Sequence, residues 1–99
     1  MNLIFLLQAE IDIQSAFSRY EGFQEGRGEI FMRYLDVALT LLRDQPRIGL
    51  HYEEPYRRLL IRRFPYGIFY EMQSDRIVIA SVLDLRQDPK TIRNRLFGA

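Results

Sequence analysis

The chain contains no cysteine and a single histidine, His51, among its 99 residues. Without cysteine there is no disulfide and no thiolate metal site. One histidine cannot build a histidine-rich metal centre or a histidine pair. No apolar run approaches the length of a membrane span. The leading stretch Met1–Leu7 is apolar but short, with no basic segment before it and Glu10 and Asp12 after it. It reads as a strand and not as a signal peptide. Repeats and low-complexity segments are absent. The glycines at 22, 26 and 28 follow a helical pattern, so they are not a phosphate-cradling strand–loop–helix. These absences predict a soluble cytoplasmic protein with no cofactor and no membrane association.

Excess charge is also scarce. The net charge is +1, which gives little counterion-release drive toward nucleic acid. Its distribution is less even. Residues 1–50 carry five arginines against seven acids, for −2; residues 51–99 carry nine Lys+Arg against six acids, for +3. The second half can face an acidic partner or nucleic acid, or it can simply be a solvated surface. Lys90 is the only lysine, so nearly all of the positive charge is guanidinium.

What is present is a run of clear periodicities. Apolar residues are 47% and charged residues 27% of the chain, an ordinary globular balance. The length predicts one domain over residues 1–99 that folds without staples. Leu3–Leu7 is a continuous apolar run of strand length, consistent with a strand covered on both faces. From Gln8 to Tyr20, Ala9, Ile13, Ala16, Phe17 and Tyr20 fall on one helical stripe. Glycines within Glu21–Gly28 predict the turn of a helical hairpin. A second helix is expected over Glu29–Arg43, with Phe31, Tyr34, Leu35, Ala38, Leu39 and Leu42 on its stripe. Pro46 and Gly49 stop it.

The second half changes period. Strands are expected over Tyr56–Phe64, Tyr66–Gln73 and Arg76–Asp84, with Ser74-Asp75 as a hairpin connection. Tyr66, Ile68, Tyr70 and Met72 alternate with Gly67, Phe69 and Glu71. Pro65 belongs at a turn or strand start. A short helix is expected over Lys90–Leu96, capped by Asp88 with Pro89 at its first position. The order is β-α-α-β-β-β(-α), a two-layer α+β domain with a helical hairpin on one face of a mainly antiparallel sheet. The opposite face is expected to stay partly open.

The stretch from Tyr56-Arg57-Arg58 through Phe64-Pro65-Tyr66 to Tyr70-Glu71, continued by Ile77–Asp84, Arg86 and Asp88-Pro89, resembles the signature of the RelE/ParE toxin superfamily. Ala9, Asp12-Ile13, Tyr20, Phe31, Leu35, Leu39, Pro46 and Gly49 fit the upstream half. The resemblance covers nearly the whole chain, and it implies the toxin of a type II toxin–antitoxin module, with the first strand joining the edge formed by the last. It also implies a cognate antitoxin, ParD-like or similar, whose C-terminal segment wraps the toxin. Operator DNA would be bound only through that antitoxin, itself of ribbon–helix–helix or similar type. A homodimer or a hetero-tetramer with the antitoxin is compatible with it.

The resemblance leaves two targets open. RelE-like members cleave messenger RNA in the ribosomal A site, and ParE-like members inhibit DNA gyrase. Cleavage by 2′-OH attack needs a base, a donor for the leaving oxygen and cations on the phosphate. Arginines suit the last role. Arg58 and Arg62 are expected on one strand face, with Arg57 and Arg63 on the other. The acid–base partners are harder to find. Asp84 stands where many family members carry histidine, and the tail Asn94–Ala99 holds no histidine or tyrosine. Candidates in their place are Glu53, Glu54, Tyr66 and Asp84, while His51 has no evident partner. The balance favours the ParE-like, non-enzymatic reading. The alternatives are a ribosome-dependent endoribonuclease and an inactive member that only binds a partner. Arg58, Arg62, Arg86, Arg93 and Arg95 are the candidate target contacts; alternatively, some of them pair with nearby acids and tie the tail to the sheet. Tyr34, Leu59, Ile61 and Phe69 are the candidate lining of an antitoxin groove.

Overall fold

A computed structural model describes residues 1–98. Strand β1 (Asn2–Phe5) leads into two helices, α1 (Leu7–Phe23) and α2 (Arg27–Asp44). Strands β2 (Leu50–His51), β3 (Tyr56–Leu60), β4 (Tyr66–Met72) and β5 (Arg76–Asp84) follow, and α3 (Pro89–Phe97) ends the fold. The sheet order is β1-β5-β4-β3-β2. β1 runs parallel to β5, and the other pairs are antiparallel. Among the described residues no helix is long and apolar enough to cross a membrane.

The helical hairpin is set by its stripes and one close approach. Ala9, Ala16 and Tyr20 of α1 and Phe31, Leu35, Ala38 and Leu42 of α2 are buried against the sheet. The reversal is tighter than the glycine spacing suggests: only Gln24–Gly26 lie between the helices, and only Gly26 takes a left-handed φ, +88°. Gly28 serves packing instead. A Cβ there would stand 2.9 Å from the Phe17 ring and backbone, so only glycine lets α2 pass this close. The Glu21 carboxylate accepts from the Gly26 and Gly28 N–H groups and satisfies the start of α2.

On the sheet, the alternation in β4 sorts side chains into two cores. Tyr66, Ile68 and Tyr70 face the hairpin, together with Ile77, Ile79 and Val82 of β5. Phe69 points the other way. The expected strand Tyr56–Phe64 is shorter than its apolar pattern, ending at Leu60. Ile61 and Phe64 instead dive into the core from the turn, where Ile61 N–H donates to the Tyr66 carbonyl at 2.9 Å. Arg62 and Arg63 therefore lie in the turn and not on opposite strand faces. Arg63 takes a left-handed φ of +69°.

Two further expectations are corrected. β1 is not covered on both faces. It is an edge strand with Ile4 41% exposed and only Leu3 and Phe5 half-buried, because α3, which packs over Phe69, Ala80 and Leu83 of β4 and β5, does not extend over β1. The second sheet face is not left open. Helix α3 folds back over it, and Ile92 and Leu96 bury against Phe69, Ala80 and Leu83. Its cap is as expected: the Asp88 side chain accepts from Lys90 N–H at 2.8 Å, with Pro89 at the first position. Strand β2 is too short for any periodic pattern to announce it. It is placed by Tyr70, whose buried hydroxyl donates to the Pro46 carbonyl at 2.7 Å and accepts from Gly49 N–H at 3.0 Å.

Candidate functional site

Three surfaces gather the residues with chemistry. The first is the end of β5. β1 pairs with β5 only as far as Ile79, so β5 is unpaired on that side from Ala80 onward. Helix α1 crosses there and supplies Asp12. Its carboxylate accepts from Val82 N–H at 3.1 Å and from Arg95 at 2.6 Å, so one buried acid joins α1, β5 and α3. Beyond it stands Asp84, which receives Arg86 through Nε at 3.1 Å and Nη2 at 2.8 Å, and Arg19 at 3.1 Å. The Arg86 guanidinium holds the Asp84 carboxyl below the usual carboxylate range. Asp84 is thus a charged pairing partner at neutral pH and not a proton donor. Tyr66, opposite Asp84 in the β4–β5 register, is buried among Tyr20, Phe31 and Phe64.

The second surface is the outer face of α3. Arg93 grips Glu53 with Nε at 2.7 Å and Nη2 at 3.1 Å, and its guanidinium lies 5.7 Å from the centre of the Phe97 ring. That pairing lowers the Glu53 carboxyl below its ordinary value. The Tyr56 hydroxyl donates to the Leu96 carbonyl at 3.1 Å. Glu54 is exposed, 3.7 Å from His51, and His51 also lies 3.2 Å from an Arg57 nitrogen. The four candidate acid–base residues are therefore scattered, and none is brought to a common point with another except Tyr66 and Asp84.

The third surface is an apolar groove between α2 and β3. Tyr34, Val37, Ala38, Leu41, Leu59 and Leu60 line it, Arg62 closes one end, and its volume is about 190 Å³. Val37 and Leu60 are 60% and 55% exposed. Two of the four residues expected for an antitoxin groove, Tyr34 and Leu59, stand here. The other two do not. Ile61 is buried in the main core, and Phe69 lies beneath α3, because the turn after β3 and the folding back of α3 cover them. Val37 was missed in the sequence; it lies off the apolar stripe of its helix, which is the signal that could have marked it.

The five candidate target arginines are likewise dispersed. Arg62 borders the groove, Arg86 is at Asp84, Arg93 at Glu53 and Arg95 at Asp12. The Arg58 stem lies over Gly67, where a Cβ would stand 3.1 Å from it. Among the described residues no three His, Cys, Asp or Glu side chains gather as metal ligands would.

Comparison with known proteins agrees with this architecture. Among solved structures, the chromosomal ParDE toxin–antitoxin system of P. aeruginosa is similar, with a TM-score of 0.77 at 14% identity, covering 87% of this chain and 97% of that one. At that identity the likeness speaks for the fold. No curated protein matches the sequence. Residues 3–89 match the family described as ParE toxin of the type II toxin–antitoxin system parDE, so the chain belongs to the ParE toxin family.

Proposed function

We propose that this chain arrests growth by inhibiting DNA gyrase, and that a cognate, ParD-like antitoxin neutralises it in the cytoplasm. The observation that carries the reading is the family match over residues 3–89. Two features of the site support it over RNA cleavage. Glu53 and Asp84 are each held as carboxylates by an arginine. Tyr66, the remaining buried candidate, is packed between aromatic rings, and the arginines near it, Arg19, Arg86 and Arg95, are each paired with a carboxylate. A nuclease needs a group that changes protonation at working pH beside an exposed phosphate site.

The groove between α2 and β3 is the proposed seat of the antitoxin. It suits the apolar face of an amphipathic segment. Any contact with operator DNA then belongs to the antitoxin, and the pair assembles as a hetero-tetramer or around a toxin homodimer.

Induced expression of the chain alone should stop growth, and co-expression of the antitoxin should restore it. Val37 and Leu60 are exposed, so Val37→Glu with Leu60→Glu leaves the fold intact. Each buried side chain of this size is worth roughly 1.5–3 kcal/mol. The double variant should stay toxic while the antitoxin loses its ability to rescue. Full rescue of the double variant would move the antitoxin to another surface, and absence of arrest by the well-expressed wild type would overturn the toxin reading itself.

A further inference from the structure

A second cavity, of about 380 Å³, lies between the hairpin tip and the β3–β4 turn; it shares no lining residue with the groove, though its Arg63 lies against Tyr34 of the groove. Arg19, Arg27, Arg63 and Arg86 stand in its wall, and no acidic side chain does. Asp84, outside the wall, pairs with Arg19 and Arg86. Arg27 and Arg63 have no carboxylate partner among the described residues. The positive end of α2 is already occupied by Glu21, so the guanidinium groups, not the helix terminus, make this cavity cationic. The four arginines come from α1, α2, the β3–β4 turn and the segment after β5. Only the fold assembles them, in a chain of net charge +1.

Three aromatic rings, Tyr20, Phe23 and Phe64, share the wall with Gln24 and Pro65. Tyr20 and Phe64 are buried at its base in edge contact, with centroids 4.8 Å apart. Phe23 stands at the rim, 69% exposed. The Arg63 guanidinium lies 5.6 Å from the centre of the Tyr34 ring. Arg63 also holds an uncommon left-handed backbone, where glycine or asparagine would be less strained. A strained non-glycine residue in a cavity wall points to a use for its side chain.

We propose that this cavity binds single-stranded nucleic acid, with a phosphodiester held by Arg27 and Arg63 and an unpaired base stacked on Phe23. Guanidinium forks match phosphate oxygens two at a time. Carboxylates of an acidic peptide would use the same cations but would leave the exposed ring without a partner. A base supplies that partner, and stacking of bases on aromatic rings is the common device of single-strand binders. The inference does not rest on gyrase as the target. It would give the toxin a contact of its own with nucleic acid.

The test is fluorescence anisotropy of a labelled twelve-residue oligothymidine titrated with the full chain at low salt. Saturable binding is expected, with a log–log salt slope of about −0.7 for the one neutralised phosphate. Arg27→Glu with Arg63→Glu should weaken it about tenfold or more. Arg33→Glu with Arg43→Glu makes the same change in net charge at exposed arginines outside the cavity, and should weaken it less than about threefold. Phe23→Ala should cost about fivefold or more. These are surface positions, and circular dichroism verifies that each variant is folded. Absence of saturable binding by the wild type overturns the proposal. So does equal weakening by the two double variants, equal binding of the duplexed oligonucleotide, or displacement by hexaglutamate at the concentration at which unlabelled oligothymidine displaces.

Discussion

The two faces of the sheet are held by different physics. Beneath the helical hairpin lies a thick aromatic core, in which Tyr20 stacks on Phe31 at 5.5 Å and both meet Phe64 and Tyr66 edge-on. Beneath α3 the buried set is small: Phe69, Ala80, Leu83, Ile92 and Leu96. That face is completed by polar ties, Arg95 to Asp12, Arg93 to Glu53 and the Tyr56 hydroxyl to the Leu96 carbonyl. Apolar packing is non-directional and adds with area, whereas a tie depends on one geometry and one charge state. The hairpin face should therefore carry the stability, and the α3 face should carry the adjustable part of the molecule.

This contrast can be broken from its strong end. Phe31→Ala empties the centre of the hairpin core, where the ring is fully buried among three aromatic neighbours. It should cost about 3–5 kcal/mol in chemical denaturation, enough to unfold much of the population. A cost below about 1 kcal/mol would mean that the faces are not as unequal as described.

Asp12→Ala comes next. It leaves Val82 N–H without its acceptor and Arg95 without its ion pair. A loss of about 2–4 kcal/mol is expected, with α3 amides exchanging faster than those of β4. Uniform acceleration across the chain would show instead that α3 is not a separable unit.

The smallest effect belongs to Glu53. Its folded-state carboxyl is lowered by Arg93 from an ordinary 4.5. A lowered carboxyl contributes stability that is present above the unfolded value and lost as pH falls through the folded one. The pair should thus hold α3 at neutral pH and release it below about 4.5. Glu53→Gln should flatten the acid dependence of α3 amide exchange while leaving that of β4 unchanged. An unaltered profile would show that the tie contributes nothing.

The same contrast decides what the sequence made legible. The hairpin stripes, the alternation Tyr66-Ile68-Tyr70 against Phe69, and the Asp88-Pro89 cap are local patterns repeated over several residues, and each is found where expected. The ties are single residues far apart in the chain. Asp12 and Arg95 are separated by 83 positions; the spacing Ala9, Asp12, Ala16 puts Asp12 on the buried face of α1, but nothing local names its partners Arg95 and Val82. Helix α3 reads as a helix, but its buried apolar positions are only Ile92 and Leu96, too few to reveal that it covers the second face. Ile61 and Phe69 look like groove residues for the same reason: their pattern fits a strand, and only the turn and α3 bury them. The arginines of the second cavity come from four segments, so no spacing in the sequence brings them together.

The most direct test of the functional account is DNA supercoiling by purified gyrase with and without the purified chain. The same preparation should be assayed in parallel for messenger RNA cleavage on translating ribosomes. The account predicts loss of supercoiling, relieved by the antitoxin, with messenger RNA left intact. Cleaved messenger RNA with normal supercoiling would contradict it, and would turn attention to Glu53, Glu54, Tyr66 and Asp84 as the acid and base.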